Sequence, residues 1–100
     1  MTIDLNSDMG EYESPEFLTR EALLMPLITS VNIACGVHAG HPDLMRRTAR
    51  LATQHGVAIG AHPGFPNAGD FGRHDRRTSL NEVASLVSAQ LRTLAEVLAL

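Results

Sequence analysis

The sequence predicts an α/β fold built on parallel strands, and three observations carry that reading. Short β-like runs alternate with helical patterns in the order β-α-β-α-β-α along 100 residues. Strands separated by helices run parallel, and right-handed crossovers set them side by side. The strand candidates are apolar almost throughout, as in a sheet covered on both faces or a barrel filled inside and sheathed outside. Each is followed by polar residues and glycine, which puts chemistry at the C-terminal strand ends, where parallel α/β proteins keep their sites. Three strands with three helices neither close a barrel nor cover both faces of a sheet. Residues 1–100 therefore read as one domain that is part of a larger one, completed by further residues or by another chain; the uncapped ending Leu98-Ala99-Leu100 points the same way.

Residues 3–6 are the first strand candidate, ended by polar residues and Gly10. Residues 7–18 read as loop, with Gly10, Ser14 and Pro15 as breakers. Thr19 is placed to cap a short helix over 20–25, which Pro26 stops by removing a donor and crowding the preceding turn. Residues 30–35 (SVNIAC) form the second strand, closed by Gly36. Pro42 opens a helix running to about residue 55, with Gly56 at its C′ position. Its residues Leu44, Met45, Thr48, Ala49, Leu51 and Ala52 recur at helical spacing, while Arg46, Arg47 and Arg50 face outward. Residues 57–61 (VAIGA) are the third strand, and a Gly/Pro/Asn-rich loop follows to about Thr78. Ser79-Leu-Asn-Glu82 is a capping box, and the helix after it stripes Val83, Leu86, Val87, Gln90, Leu91, Leu94 and Leu98 along one side.

Composition narrows the function classes. The chain is 44% hydrophobic and 19% charged, which is globular rather than disordered. Its net charge of −3, with no basic run, argues against nucleic acid or a membrane surface as partner. All 8 basic residues are arginine, so no P-loop lysine, Schiff-base lysine or serine–lysine dyad is available here. Four aromatics, Tyr12, Phe17, Phe65 and Phe71, are too few for a base-stacking platform. The lone Cys35, the absence of an apolar signal core in MTIDLNSD and the lack of a membrane-length apolar run predict a cytoplasmic protein.

Three strands deliver carboxylate, amide and imidazole to one rim. After the first come Asn6, Asp8 and Glu11; after the second, Asn32, Cys35, His38 and His41; after the third, His62 and then Asp70, Arg73 and His74. The bland alternative is that Asp, Asn and His favour turns anyway. His38 and His41, three apart beside Gly36 and Gly40, make with Asp8 a candidate Asp/His/His site for zinc or another divalent ion. A capping role for His41 at the helix entrance is the plain alternative. His62 suits general acid/base work or substrate contact, against a structural role bonding the loop backbone. Gly36, Gly40, Gly60, Gly64, Gly69 and Gly72 let backbone amides approach an anion that Arg73 would clamp. Cys35, at a strand end, reads first as a small buried hydrophobe and second as a nucleophile. Asp70-Phe71-Gly72 lacks the catalytic loop and β3 lysine of a kinase.

Four motifs then make the sequence recognisable: IDLNSDMGE (residues 3–11), SVNIACGVHAG (30–40), GVAIGAHPGFP (56–66) and FGR (71–73). Together they closely resemble the lactam-utilisation family, the A-subunits of 5-oxoprolinase, in order and over essentially the whole chain. Members are more than twice this long. The resemblance implies a (β/α) barrel related to the polysaccharide-deacetylase-like barrels. It further implies ATP-dependent opening of 5-oxoproline to glutamate together with B and C subunits. Position by position it points to Asp4, Asn6, Asp8, Glu11, Asn32, His38, His62 and Arg73. Two departures stand out: His41 and Asn67 occupy positions where members usually carry Asp.

The chemistry expected is phosphorylation of the lactam carbonyl oxygen by ATP followed by attack of water, which needs an anion cradle, a divalent ion such as magnesium and a base. Asn6, Asn32, Gly36, Gly40 and Arg73 are assigned to substrate and phosphate; Asp8, Glu11, His38 and His62 to base, metal and proton transfer. The alternatives are a metal-activated water at Asp8, His38 and His41, as in a deacetylase, or a scaffold that binds the lactam while partner subunits react it. These 100 residues alone are expected to be inactive, and their uncovered three-stranded sheet predicts association, including as a homo-oligomer.

Overall fold

A computed structural model describes residues 1–66 and 78–98. The elements are β1 (Asn6–Met9), α1 (Pro15–Leu24), a 3-10 turn (Met25–Leu27), β2 (Ser30–Ala34), α2 (Pro42–Gln54), β3 (Ala58–His62) and α3 (Leu80–Val97). The three strands form one parallel sheet in the order β1-β2-β3. Asn6 pairs with Ser30 and Ser30 with Ala58; two residues on, Asp8 pairs with Asn32 and Asn32 with Gly60. The mixed α/β architecture is the partial βα barrel that the sequence predicts.

The register sorts the strand residues between two faces, because successive side chains alternate. Met9, Val31 and Ile33 share a face with Cys35 and, from β3, Ala61, and they pack beneath the helices around Met25, Met45, Ala49, Ala52 and Leu94. Met25, Val31, Ile33, Met45 and Ala52 are fully buried; sealing each larger side chain from water contributes roughly 1.5–3 kcal/mol. The opposite face carries Asn6 and Asp8, then Ser30 and Asn32, then Gly60 and His62. The strands are therefore two-faced rather than apolar throughout. Asn6 and Asn32 exchange side-chain hydrogen bonds across this polar face, with Asn32 Nδ2 donating to Asn6 at 2.8 Å and to Asp8 at 3.1 Å.

Two boundaries differ from the sequence expectation. The first strand lies three residues later than residues 3–6, because hydrogen bonding to β2 selects Asn6–Met9 despite its polar NSDM sequence. The first helix starts at Pro15, not Arg20: Ser14 caps it by accepting from Phe17 N–H, and Pro15 occupies the first turn, where a missing N–H costs nothing. Ser14 and Pro15 start a helix rather than break one. α2 and α3 fall where periodicity puts them, and Ser79 Oγ accepts from Glu82 N–H at 3.1 Å. The Glu82 carboxylate takes the Thr78 hydroxyl at 2.6 Å, a neighbouring partner to the one a capping box predicts. Among the described residues no helix is long and apolar enough to cross a membrane.

Candidate functional site

The C-terminal ends of β1, β2 and β3 open onto one rim, so residues distant in sequence meet there. Glu11 follows β1 by two residues, His38 sits in the loop after β2, and His62 is the last residue of β3. Their ligand-capable atoms all lie within 4.8 Å of one another. His38, only 3% exposed, sets Nε2 3.2 Å from Glu11 Oε2. A carboxylate only accepts, so the imidazole N–H donates. The His38 and His62 ring centroids are 4.5 Å apart and tilted by 58°. His62 Nδ1 faces Asp8 Oδ2 at 3.8 Å, an ion-pair distance beyond hydrogen-bond reach. Glu11, His38 and His62 border a pocket of about 350 Å³ walled by Pro63, Gly64, Phe65, Val83, Leu86, Val87 and Gln90. Polar reactive groups thus sit at the end of an apolar wall supplied by α3.

Of the residues singled out by sequence, Asp8, Glu11, His38 and His62 come together here, with Asn6 and Asn32 behind Asp8 on the polar sheet face. His41 does not join them. It is the N-cap of α2, its Nδ1 accepting from Leu44 N–H at 3.4 Å, and its Nε2 lies 2.9 Å from Glu13 Oε2. For a divalent metal the donor set that fits the geometry is Glu11, His38 and His62, one carboxylate and two imidazoles suited to a transition ion. The set Asp8, His38 and His41 is not gathered. Gly36 spends its amide on Ala39 O at 2.9 Å, and Gly40 lies against the Gly10 carbonyl. Arg73, with Asn67, Gly69, Asp70, Gly72 and His74, lies outside the described residues. Cys35 is 1% exposed and gives its thiol hydrogen to Ile33 O; burial pushes the thiol up, against a weaker bond from the His62 backbone. It behaves as a small core residue.

Asp4 stands further along the polar face, where hydrogen bonds from the Thr29 and Ser30 hydroxyls hold its carboxyl below the usual value. Two residues near the rim escaped the sequence reading. Glu21 of α1 accepts from Gly10 N–H at 3.0 Å, and burial raises its carboxyl above the ordinary range. Gln90 of α3, 2% exposed, binds the backbone of Gly64. Its signal was present: it is the one polar side chain in an otherwise apolar stripe.

A parallel βα sheet whose strand ends bring a carboxylate and two imidazoles together, on a portion of a βα barrel, defines the class. Residues 3–100 match the LamB/YcsF family, and the chain belongs to it. The A-subunit of 5-oxoprolinase from Geobacillus thermodenitrificans is 55% identical over 94 residues, covering 94% of this chain and 36% of that protein. Its counterpart from Methylococcus capsulatus is 48% identical over the same shares. The crystal structure of the lactam utilization protein from Thermus thermophilus superimposes with a TM-score of 0.86 at 43% identity, covering 99% of this chain and 40% of that one. The chain thus spans little more than a third of the length of these relatives.

Proposed function

We propose that this chain serves the ATP-dependent opening of 5-oxo-L-proline to L-glutamate, as part of an A-subunit that works with B and C subunits. The observation that carries the reading is the meeting of Glu11, His38 and His62 at the three strand ends. Relatives named as A-subunits of 5-oxoprolinase support the substrate and an assembly of subunits. An amide resists water because resonance weakens the carbonyl as an electrophile, and ATP supplies the driving force by giving its γ-phosphoryl to the carbonyl oxygen as ADP leaves. The rim supplies the proton transfers. The Glu11–His38 pair takes a proton from water as its oxygen bonds to the carbonyl carbon. His62 gives a proton to the ring nitrogen as the C–N electron pair moves onto it, leaving an amine and an acyl phosphate, which a second water hydrolyses to carboxylate and inorganic phosphate. Asp8 Oδ2 faces the other side of that imidazole, 3.8 Å from Nδ1. None of the described pocket-wall residues is Lys or Arg, so phosphate handling falls to Arg73, backbone amides or the partner subunits. These 100 residues alone are expected to show little turnover.

The test is glutamate release from 5-oxoproline by the assembled subunits, with and without ATP. Loss of turnover in Glu11→Gln and His38→Ala is expected. Release without nucleotide would overturn ATP coupling, and normal turnover in both variants would leave a lactam-binding scaffold. A second reading is favoured by the 4.8 Å grouping: Glu11, His38 and His62 would hold a divalent metal, which supplies a water acidified for direct attack on the amide. It predicts metal uptake that His62→Ala abolishes and glutamate release that needs no ATP.

A further inference from the structure

We infer that Gln90 is a positioning residue of this site: its side-chain amide clamps the backbone of Gly64 and so fixes the loop after β3 against the His38 ring. Three contacts carry the inference. Gly64 N–H donates to Gln90 Oε1 at 2.9 Å, and Gln90 Nε2 donates back to Gly64 O at 2.8 Å, so the side chain reads the residue as a paired strand would. The second Nε2 hydrogen goes to Leu86 O at 3.1 Å, which ties the amide to its own helix and fixes its plane. The Gly64 backbone in turn sits directly on His38: a Cβ there would lie 2.6 Å from His38 Nδ1 and 2.8 Å from His38 Cβ.

A buried amide on an apolar stripe is costly unless all its groups are satisfied, and here the partners are loop backbone rather than solvent. An apolar side chain of the same volume would fill the space without holding the loop. The clamp sits 26 residues from Gly64 in sequence, so it couples α3 to the strand-end loop across the pocket. Through Gly64 it limits the tilt of the His38 ring and keeps Nε2 turned to Glu11. Through Pro63 it limits the travel of His62, whose ring packs on His38. Gln90 also borders the pocket, but both its donors are spent on backbone and its oxygen takes the Gly64 N–H, so it acts through the histidines. The role in turnover rests on the acid–base reading above; the clamp itself does not.

The experiment is Gln90→Met in the full-length protein with its partner subunits, read in two ways. Amide exchange at Gly64 is expected to quicken at least about tenfold, with loss of the proton contact between Gly64 Hα and the His38 ring. Turnover is expected to fall through kcat by roughly ten- to a hundredfold, with KM changed less than about twofold, the pattern of misplaced reacting groups rather than lost binding. Gly64→Ala is the second variant should Gln90→Met fold poorly. It leaves Gln90 in place, forces the His38 ring to move and predicts the same kcat-weighted loss. Unchanged Gly64 exchange and an unchanged His38 contact in Gln90→Met overturn the clamp. A loosened loop with unchanged kcat, where His38→Ala is inactive, overturns the positioning role. Full turnover in His38→Ala overturns the acid–base reading while the exchange result still decides the clamp.

Discussion

Replacing Gly40 by alanine isolates what holds the two site loops together. Gly40 has φ +83°, and a Cβ there would lie 2.7 Å from the Gly10 carbonyl oxygen and 3.3 Å from Ala34 Cβ. The left-handed backbone costs an L-residue roughly 1–2 kcal/mol. Forcing a methyl against backbone that cannot rotate away adds about 1–3 kcal/mol. Gly40→Ala is therefore expected to cost about 2–5 kcal/mol, which in the full-length barrel lowers the melting temperature by at least about 4 °C. Gly56 supplies the control: its φ is +67°, yet a Cβ there would have nothing within 4 Å, so Gly56→Ala carries only the backbone part. Urea denaturation and thermal melts of both variants measure the difference. Equal costs, within about 0.5 kcal/mol, would refute the argument that close approach to Gly10 is what requires glycine at position 40. The contact matters for the site because Gly10 precedes Glu11 and Gly40 follows His38 by two residues.

Further outcomes follow from other parts of the molecule. Met45→Ala empties a fully buried position among Val31, Ile33 and Ala49, and is expected to cost about 2–5 kcal/mol in urea unfolding. His41→Ala removes the α2 N-cap, with a cost of about 1 kcal/mol; in a metal titration it leaves uptake intact, whereas His62→Ala abolishes it if a metal is held at the rim. Glu21 has its carboxyl raised by burial, so the folded state holds a proton that the unfolded state has released. Its contribution is present below the ordinary carboxyl value and is lost as pH rises through the raised one. Stability measured across that window should therefore decline with pH in the parent, and Glu21→Gln should flatten the decline.

α2 and α3 were legible because their signals are local. The 42–54 and 79–97 stretches carry a cap and an apolar period that needs no knowledge of the rest of the chain. The beginning of the chain was not, since NSDM has weak strand propensity and becomes β1 only by pairing with β2. The same pairing turned strands read as apolar throughout into a sheet with one polar face.

For the site, sequence alone determined which chemical groups are available: carboxylates and imidazoles at three strand ends, no lysine, and a long motif match. Tertiary structure decided their grouping. Topology places strand ends on one rim without specifying which side chains converge, and it was the turn after β2 that sent His38 inward to Glu11 and His62 while His41 went to cap α2. Gln90 spans the two categories. In the sequence it is a polar interruption of an apolar stripe, and only the folded loop supplies the Gly64 backbone that satisfies a buried amide.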